Sequence, residues 1–440
     1  MWNLLYQSLL LLAWPWVHVR LYWRGRREPE YRQRIGERFG RVPAGLTPGG
    51  LWFHTVSAGE TIAAAPLIRE LAQAFADQVF LVTTMTPTGS AQVHARLGDR
   101  VQHCYAPYDF PWAVRRFYDQ ARPRLLVLME TELWPNLIAE AWRRGVPVVL
   151  VNGRLSERSA RGYSRLGGLT RTMLGRLEYV ACQYPEHVRR FAALGVPEDR
   201  LAVHGSVKFD AALPADHGER VAALRRRFAL DDGPIWVAAS THPGEEALAL
   251  AVHRRLQARF AGARLVLVPR HPWRAAEVMD LVRTFGWVPA AQSAPDPDTD
   301  TSAEVIIGDT MGELLYLYAL GDAALVGGSF SGTGGHNPIE PALCGVPVIM
   351  GPSIFNFADV VARFREADCL ELATDEQTVA QVLEGWLADP QARRNRGSRA
   401  RRVIADNAGA SARLRALLET QIRAVDAADG RGASAGTVSQ

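Results

Sequence analysis

The chain has 440 residues, of which 48% are hydrophobic and 22% are charged, and its formal net charge at pH 7 is +4. These values exclude a disordered chain, and the length exceeds what one hydrophobic core usually organises, so two α/β domains are expected. The four cysteines are scattered, with no paired Cys motif and no Cys/His cluster, so the sequence supports neither a zinc site nor a disulfide framework.

The N-terminal segment from Trp2 to Val19 is apolar with few interruptions. A helix of about 18 residues reaches roughly 27 Å, which just matches a bilayer core. A full span is weakened by Asn3, Gln7, Pro15 and His18. An arginine-rich stretch from Arg20 to Arg41 follows, which predicts a cytoplasmic flank by the positive-inside rule. We therefore expect residues 1–22 to be a membrane anchor, either single-pass or monotopic.

Alternating strand and helix patterns begin at about residue 50 and continue along the chain. The predicted strands of the first series are Leu51–Val56, Val79–Thr84, Arg100–Tyr105, Leu125–Met129, Pro147–Val151 and Tyr179–Cys182. Those of the second series are Ile235–Ala239, Arg264–Val268, Glu304–Ile307, Ala323–Val326 and Val346–Met350. This alternation predicts an α/β protein with two doubly wound domains and a cleft between them, with ligands at the carboxyl ends of the strands.

Changes in composition set the predicted domain boundaries. A charged, proline-containing stretch at about 202–234 predicts the interdomain connection, so the first domain is expected over 23–212 and the second over 213–425. Helices are expected to fill 375–425. The small and polar residues of 426–440 are typical of a disordered tail.

Carboxylates follow two predicted strands of the first series. Ser57 and Glu60 in HTVSAGET have the spacing of a capping box, so Glu60 is either a local cap or a general base at the carboxyl end of its strand. Glu130 and Glu132 in METELWPN share one face of an extended segment. Two carboxylates that end a buried strand favour a functional site over a surface charge pair, and Glu130, nearer the strand, is the better candidate.

Basic residues follow later strands of the same series. Arg154, Arg158, Arg161 and Arg165 lie in NGRLSERSARGYSRL. Each fits a solvated helix face, and together they are candidates for holding the phosphates of an acidic, membrane-borne substrate. Lys208 is the only lysine in the chain. It is either an ordinary surface residue or a cation that neutralises negative charge in a transition state.

In the second series, Arg270 and His271 directly follow a strand, where a fixed cation suits a phosphate. The spacing Thr310-x-x-Glu313 is a second capping-box pattern, which places Gly312 beside a helix N-terminus. This pattern indicates either local capping alone or contact with a nucleotide.

A long glycine-rich loop lies between Val326 and Pro352. It follows an apolar strand and ends at a predicted helix, with Asn337 as the N-cap, Pro338 at the first helical position and Glu340 at the third. This arrangement turns backbone N–H groups and the positive end of a helix dipole toward an anion. The loop therefore predicts a nucleotide-phosphate site, although it fits neither the Walker A nor the GxGxxG pattern. The alternative is a turn that only joins a strand to a helix.

The motifs HTVSAGE, ETELWPN, NGRLS, GSVKFD, PRHP, GDTMGEL and GGSFSGTGGHNPIEP closely resemble those of the Kdo transferases of lipopolysaccharide synthesis, in the same order and over about residues 1–425. Kdo is 3-deoxy-D-manno-octulosonic acid, which is delivered as CMP-Kdo. The resemblance implies a GT-B fold, two Rossmann-like domains facing a cleft, with an N-terminal membrane anchor helix. It also implies inverting transfer of Kdo from CMP-Kdo to a glucosamine hydroxyl of a tetra-acylated lipid A precursor, with no cofactor and no required metal.

Matched residue by residue, the resemblance implies that Glu60 is the catalytic base and that Glu130 and Lys208 support the transition state. The CMP-binding positions that it implies are Pro269, Arg270, Met311, Gly312, Glu313, Asn337, Pro338, Ile339 and Glu340. The expected partners are CMP-Kdo, the lipid A precursor and a membrane surface, and no nucleic acid. The expected location is the cytoplasmic side of the inner membrane.

Two other functions fit the residues alone. The first is another GT-B glycosyltransferase that uses a UDP- or ADP-sugar on a lipid acceptor. The second is a non-catalytic, membrane-anchored scaffold that binds a nucleotide, which leaves Glu60, Glu130 and Lys208 without a task.

Overall fold

The apolar runs of the sequence form two parallel β-sheets, one in each of two structural units. The computed structural model describes residues 2–26, 28–230 and 233–430. The first unit, here the N-terminal domain, comprises the chain up to Lys208 and the segment from Ala408 onwards. The second unit, here the C-terminal domain, comprises Phe209–Asn407.

The described residues contain the following strands: β1 (Leu51–His54), β2 (Phe80–Thr84), β3 (Gln102–Tyr105), β4 (Leu125–Met129), β5 (Val148–Gly153), β6 (Tyr179–Cys182), β7 (Leu201–Val203), β8 (Ile235–Thr241), β9 (Arg264–Pro269), β10 (Pro289–Ala291), β11 (Val305–Ile307), β12 (Ala323–Val326), β13 (Val348–Met350) and β14 (Leu370–Leu372). Each predicted strand is confirmed, with small shifts at its ends. The short strand expected before Lys208 is β7, whose bounds were not predicted, whereas β10 and β14 were not predicted at all. These strands have three residues each and leave little periodicity to detect.

The α-helices of the described residues are α1 (Trp2–Arg24), α2 (Ala58–Ala74), α3 (Pro87–Leu97), α4 (Pro111–Ala121), α5 (Pro135–Arg143), α6 (Glu157–Arg165), α7 (Gly168–Leu174), α8 (Pro185–Ala193), α9 (His217–Arg227), α10 (Glu245–Arg259), α11 (Ala275–Thr284), α12 (Pro297–Ser302), α13 (Leu314–Tyr318), α14 (Ile339–Leu343), α15 (Ala358–Glu366), α16 (Glu376–Ala388), α17 (Pro390–Asn407) and α18 (Ala410–Ala428). The predicted helices over 375–425 are confirmed. The predicted connection at 202–234 is more ordered than expected, because it contains β7 and α9.

Both sheets are doubly wound, which means that the chain adds strands first toward one edge of the sheet and then toward the other. The point at which this direction reverses decides where a ligand can bind. The N-terminal sheet has the order β3-β2-β1-β4-β5-β6-β7, and the C-terminal sheet has the order β10-β11-β9-β8-β12-β13-β14. Neighbouring strands pair in parallel throughout. The direction of winding reverses between β1 and β4 in one sheet and between β8 and β12 in the other. Ligands of such sheets bind beyond the carboxyl ends of the strands at the reversal point.

The last helix of the chain, α18, belongs to the N-terminal domain. Leu414, Leu418 and Ile422 recur every four residues, are fully buried, and pack in the same core as Phe53 and Val127. The prediction that the second domain runs to residue 425 is therefore wrong for the part from Ala408 onwards. The predicted tail at 426–440 is helical as far as Ala428, and its residues 431–440 lie outside the described part of the chain.

Helix α1 packs on the N-terminal domain. The Tyr6 hydroxyl donates to Asp109 (2.7 Å), and the Gln7 amide donates to the Asn136 side chain (2.5 Å). The His18 ring stacks on Phe39 with centroids 4.7 Å apart. None of the helices described in the structure is both long and apolar enough to cross a bilayer. The single-pass form of the predicted anchor is therefore unsupported, because polar residues interrupt the apolar run and one face of the helix is committed to the protein.

We predict that Leu418→Ala lowers the free energy of unfolding of the N-terminal domain by about 2–5 kcal/mol, because it opens a cavity in a filled core. Chemical denaturation followed by tryptophan fluorescence measures the change. The control is Thr420→Ala on the exposed face of α18, for which we expect a change within about 0.5 kcal/mol. Equal effects of the two substitutions would contradict the placement of α18 in this core.

Candidate active site

Three carboxylates come together at the reversal point of the N-terminal sheet. Glu60 lies in the first turn of α2, directly after β1, whereas Glu130 and Glu132 follow β4. Because β1 and β4 are neighbours in register, their carboxyl ends place these side chains at one edge of the sheet. Glu132 and Glu130 both lie near enough to Glu60 for their charges to raise the pKa of its carboxyl.

The capping-box interpretation of Glu60 is confirmed in detail. The Glu60 amide donates to the Ser57 hydroxyl (3.3 Å), and this hydroxyl donates to a carboxylate oxygen of Glu60 (2.9 Å). The other oxygen of Glu60 accepts from the Val56 amide (2.9 Å). These bonds fix the side chain in one position. They do not exclude a catalytic role, because a general base must also be positioned within hydrogen-bond distance of the proton that it accepts.

The environment of Glu60 raises the pKa of its carboxyl to about 8. Burial is the largest cause, since the side chain is almost completely removed from water, and the negative charges of Glu132 and Glu130 add to it. The bonds from Ser57 and Val56 act in the opposite direction and are too weak to restore the ordinary value. A carboxyl whose pKa lies near the working pH is typical of a general acid or base.

Lys208 lies beside this acidic cluster. Its ammonium is 3.6 Å from a carboxylate oxygen of Glu130, and both side chains are about one-fifth exposed. The backbone of Glu130 has a φ of +52°, an unfavourable value for a residue with a side chain, which the surrounding structure must hold in place. The buried Asn152, with the same φ of +52°, accepts a hydrogen bond from the Val207 amide (3.3 Å) and so positions the segment that carries Lys208.

The four predicted phosphate-binding arginines are not placed alike. Arg154 directly follows β5 and is joined to the acidic cluster through its backbone, because its amide donates to the Glu130 carbonyl (3.2 Å). Arg158, Arg161 and Arg165 lie exposed on α6, where Arg161 pairs with Glu157 (2.7 Å). The solvated-face interpretation therefore fits the three helical residues.

Positive and imidazole side chains gather at the reversal point of the C-terminal sheet. Arg270 and His271 follow β9, His242 follows β8, and His336 lies in the loop after β12. The Nε2 atoms of His242 and His336 are 2.9 Å apart, so one of them donates a hydrogen bond to the other. Burial, with the charges of Arg270 and the other two histidines, lowers the pKa of His336 to about 4. Such a cluster is suited to an anionic ligand.

The glycine-rich loop holds a carboxylate of the protein itself. Buried Glu245 accepts hydrogen bonds from the backbone amides of Gly328 (2.7 Å), Phe330 (2.8 Å) and Ser331 (3.2 Å), and from His242 (2.8 Å). These three amides are therefore bonded to a side chain of the protein, and the nucleotide-phosphate site predicted for the loop stays a prediction for its other amides. The N–H groups of the three are satisfied by Glu245, which fixes the shape of the loop.

The helix predicted after the glycine-rich loop begins slightly later than expected. It is the short α14, whose N-cap position is Pro338, and the Asn337 side chain still accepts from the Ile339 amide (3.1 Å). Ile339 is fully buried and is part of the hydrophobic core. Burial raises the pKa of Glu340, while Asn337 and the charge of Arg270 lower it, so Glu340 faces the basic cluster.

The segment from Met311 to Glu313 forms a loop before α13. Glu313 occupies the N-cap position and not the third helical position, so the capping box predicted here is wrong. Its carboxylate instead accepts from the Thr310 hydroxyl (2.7 Å) and pairs with Arg220. Met311 is 73% exposed and Gly312 has a φ of +81°. Pro269, by contrast, is the buried last residue of β9.

No three His, Cys, Asp or Glu side chains within residues 2–26, 28–230 and 233–430 are grouped so as to hold a metal ion.

Comparison with known proteins decides the family. Residues 33–211 match the family model described as 3-deoxy-D-manno-octulosonic-acid transferase (kdotransferase). A 3-deoxy-D-manno-octulosonic acid transferase of Haemophilus influenzae is 38% identical over 423 residues, which is 95% of this chain and 98% of the relative. Its counterpart in Bordetella pertussis is 36% identical, over 95% of this chain and 98% of the relative. The chain belongs to the Kdo transferase family.

Kdo transferases are glycosyltransferases. Among solved structures, Anabaena HepE, crystallised with UDP, superposes with a TM-score of 0.55 at 14% identity, over 85% of this chain and all of that one. At this identity the likeness concerns the fold alone, which consists of two α/β domains with parallel sheets.

Four residues of this Kdo transferase were missed in the sequence analysis: Asn152, His242, Glu245 and His336. His242 and Asn152 each end a predicted strand region, so the rule that found Glu60 and Arg270 would also have found them. Glu245 and His336 were not found because their contacts at this site are long-range. The loop amide of Gly328 that bonds Glu245 lies 83 residues away along the chain, and the His242 partner of His336 lies 94 residues away.

We predict that Glu245→Gln destabilises the C-terminal domain by about 1–3 kcal/mol, because the amide NH₂ replaces an acceptor and faces backbone donors. Thermal unfolding with and without CMP measures the effect, and we also expect weaker CMP binding. The control, Glu376→Gln, removes an exposed carboxylate in the same domain. An unchanged melting temperature in Glu245→Gln would show that the loop does not depend on this carboxylate.

Proposed function

We propose that this member of the family transfers Kdo from CMP-Kdo, with inversion, to a glucosamine hydroxyl of a tetra-acylated lipid A precursor, and that the reaction needs no metal ion. The observation that carries the proposal is the buried carboxyl of Glu60, with a pKa raised to about 8, at the reversal point of the N-terminal sheet. Family membership supports the Kdo donor.

Glu60 is proposed as the general base. The acceptor hydroxyl attacks the anomeric carbon of Kdo, its proton passes to Glu60, and the bond between that carbon and the CMP phosphate oxygen breaks. A pKa of about 8 makes Glu60 a stronger base than an ordinary carboxylate. It also means that only about one molecule in ten has Glu60 ionised at pH 7, so the rate should rise with pH.

Lys208 and Glu130 are proposed to stabilise the transition state. Kdo carries its own carboxylate beside the reacting carbon, and the ammonium of Lys208 is suited to hold it. Glu130, at 3.6 Å, keeps this ammonium in place. As charge develops on the sugar and on the leaving phosphate, a fixed cation and a fixed anion stabilise it without reorganisation.

The C-terminal domain is proposed to bind the CMP part of the donor. Arg270 supplies a fixed cation for the single phosphate, and the neighbouring hydrogen-bonded pair of His242 and His336 adds an N–H donor. The segments of Met311–Glu313 and Asn337–Glu340 are proposed to contact the nucleoside. The first lies in the loop that follows β11, and the second ends the loop after β12 and begins α14, so both follow the carboxyl ends of strands.

Helix α1 is proposed to lie on the membrane surface, as a monotopic element at the cytoplasmic side of the inner membrane. The large apolar side chains that α1 exposes are Leu9, Leu11, Leu12, Trp14, Trp16, Val19, Tyr22 and Trp23. An apolar face of this kind, followed by arginines, is typical of interfacial helices that meet anionic lipids.

We predict that Glu60→Gln and Glu60→Ala each lower kcat for Kdo transfer by on the order of 100-fold or more, because they remove the base. Purified protein, CMP-Kdo and lipid A precursor provide the assay, with the product identified by mass spectrometry. In the wild type, kcat/KM should rise with pH and level off above about 8, since Glu60 must be ionised.

The matched control is Glu178→Gln, which removes an exposed carboxylate of the same domain and should leave kcat unchanged. Near-normal turnover by Glu60→Gln would remove Glu60 from the mechanism. Absence of any Kdo product from the wild type would contradict the function itself.

A further inference from the structure

A cavity of about 680 Å³ opens on the N-terminal domain beside the start of α1. Its walls are formed by α4, α5 and α7, with the side chain of Gln7 from α1 at the rim. The residues that decide its chemistry are Arg115, Arg143, Arg176, Pro111, Leu169 and Met173. Three guanidinium groups thus share one cavity with apolar side chains.

The surroundings of the cavity carry an excess of positive charge. Arg115 lies 3.8 Å from one oxygen of Glu140, and Arg143 forms an ion pair with the same oxygen. Arg144 pairs with Glu140 (2.8 Å) and with Asp119 (2.7 Å). With Arg176, the surroundings of the cavity therefore hold four guanidinium groups and two carboxylates. None of the residues that line the cavity itself is acidic.

Arg176 shows that the positive charges crowd one another. Its guanidinium lies over the Trp142 ring, 4.8 Å from the centroid. Burial, and then the nearby charge of Arg143, lower the pKa of Arg176. An anion placed between Arg143 and Arg176 would relieve this repulsion and accept hydrogen bonds from both.

The cavity extends toward the acidic cluster along α5. Pro135, the first residue of α5, lines one end, and the preceding Trp134 donates its indole N–H to Glu132 (2.8 Å). Arg143 is the last residue of this nine-residue helix, which is roughly 13 Å long. One elongated molecule can therefore span the distance between the proposed catalytic carboxylates and the arginines.

Apolar surface surrounds the opening. Trp112 and Trp142 are 45% and 59% exposed, and Leu9, Leu11 and Leu12 are exposed on the adjacent part of α1. We propose that the cavity binds a phosphate of the acylated acceptor through Arg143 and Arg176, while its acyl chains follow the apolar face of α1. The occupant is a membrane-resident phosphomonoester lipid, which combines the negative charge that the arginines need with the chains that this surface accepts. This assignment rests on the proposed function.

The test compares Arg143→Gln, Arg176→Gln and the double variant with Arg171→Gln, an exposed arginine on α7 that does not line the cavity. We expect KM for the lipid A precursor to rise roughly tenfold or more in each cavity variant. KM for CMP-Kdo and kcat should stay within about twofold, because none of the residues proposed to bind the donor lines the cavity. With an acceptor that lacks phosphate, the wild type and the variants should have the same KM.

A second measurement does not depend on activity. Full-length protein is sedimented with phosphatidylcholine vesicles that contain either phosphatidate, a phosphomonoester, or phosphatidylglycerol, a phosphodiester. We expect the wild type to prefer phosphatidate and the double variant to lose this preference. An unchanged KM for the acceptor together with an unchanged lipid preference would overturn the proposal, and so would an equal loss of binding to both lipids. A wild type that transfers no Kdo would refute the proposed function, whereas the vesicle experiment would still test the cavity.

Discussion

The site in the N-terminal domain depends on one electrostatic constraint, which is that three carboxylates and a single ammonium share the end of one sheet. Glu60 is buried and lies close to two other acids, so its charged form is disfavoured. Lys208, the only lysine in the chain, lies against Glu130. The protein thereby keeps one carboxylate ion-paired and leaves another poised to exchange a proton.

The two reversal points have opposite chemical character. The N-terminal sheet ends in acids, whereas the C-terminal sheet ends in Arg270 and three histidines. The acids suit the acceptance of a proton, and the cations suit a phosphate. Glu245 belongs to neither role. Its carboxylate is the internal anion that shapes the glycine-rich loop, and so it accounts for the conformation of a stretch that on sequence alone resembles a phosphate cradle.

Local signals in the sequence were sufficient for much of this structure. Apolar runs located most strands, and the spacing of Ser57 and Glu60 located the start of α2. Long-range packing was not predictable. The return of α18 to the first domain depends on Leu414 and Leu418 meeting a core built more than 280 residues earlier, around Phe53 and Val127. The packing of α1 through Tyr6, and the cavity beside it, likewise depend on contacts between residues far apart along the chain, which no local sequence pattern predicts.

The central claim, that Glu60 is a carboxyl kept largely protonated at neutral pH, is tested most directly by NMR titration of its side chain. Protein labelled with ¹³C at the glutamate carboxyl carbon is titrated, and the Glu60 signal is identified by its absence in Glu60→Gln. The account predicts a midpoint near 8. A midpoint near the ordinary glutamate value of about 4.3 would contradict it.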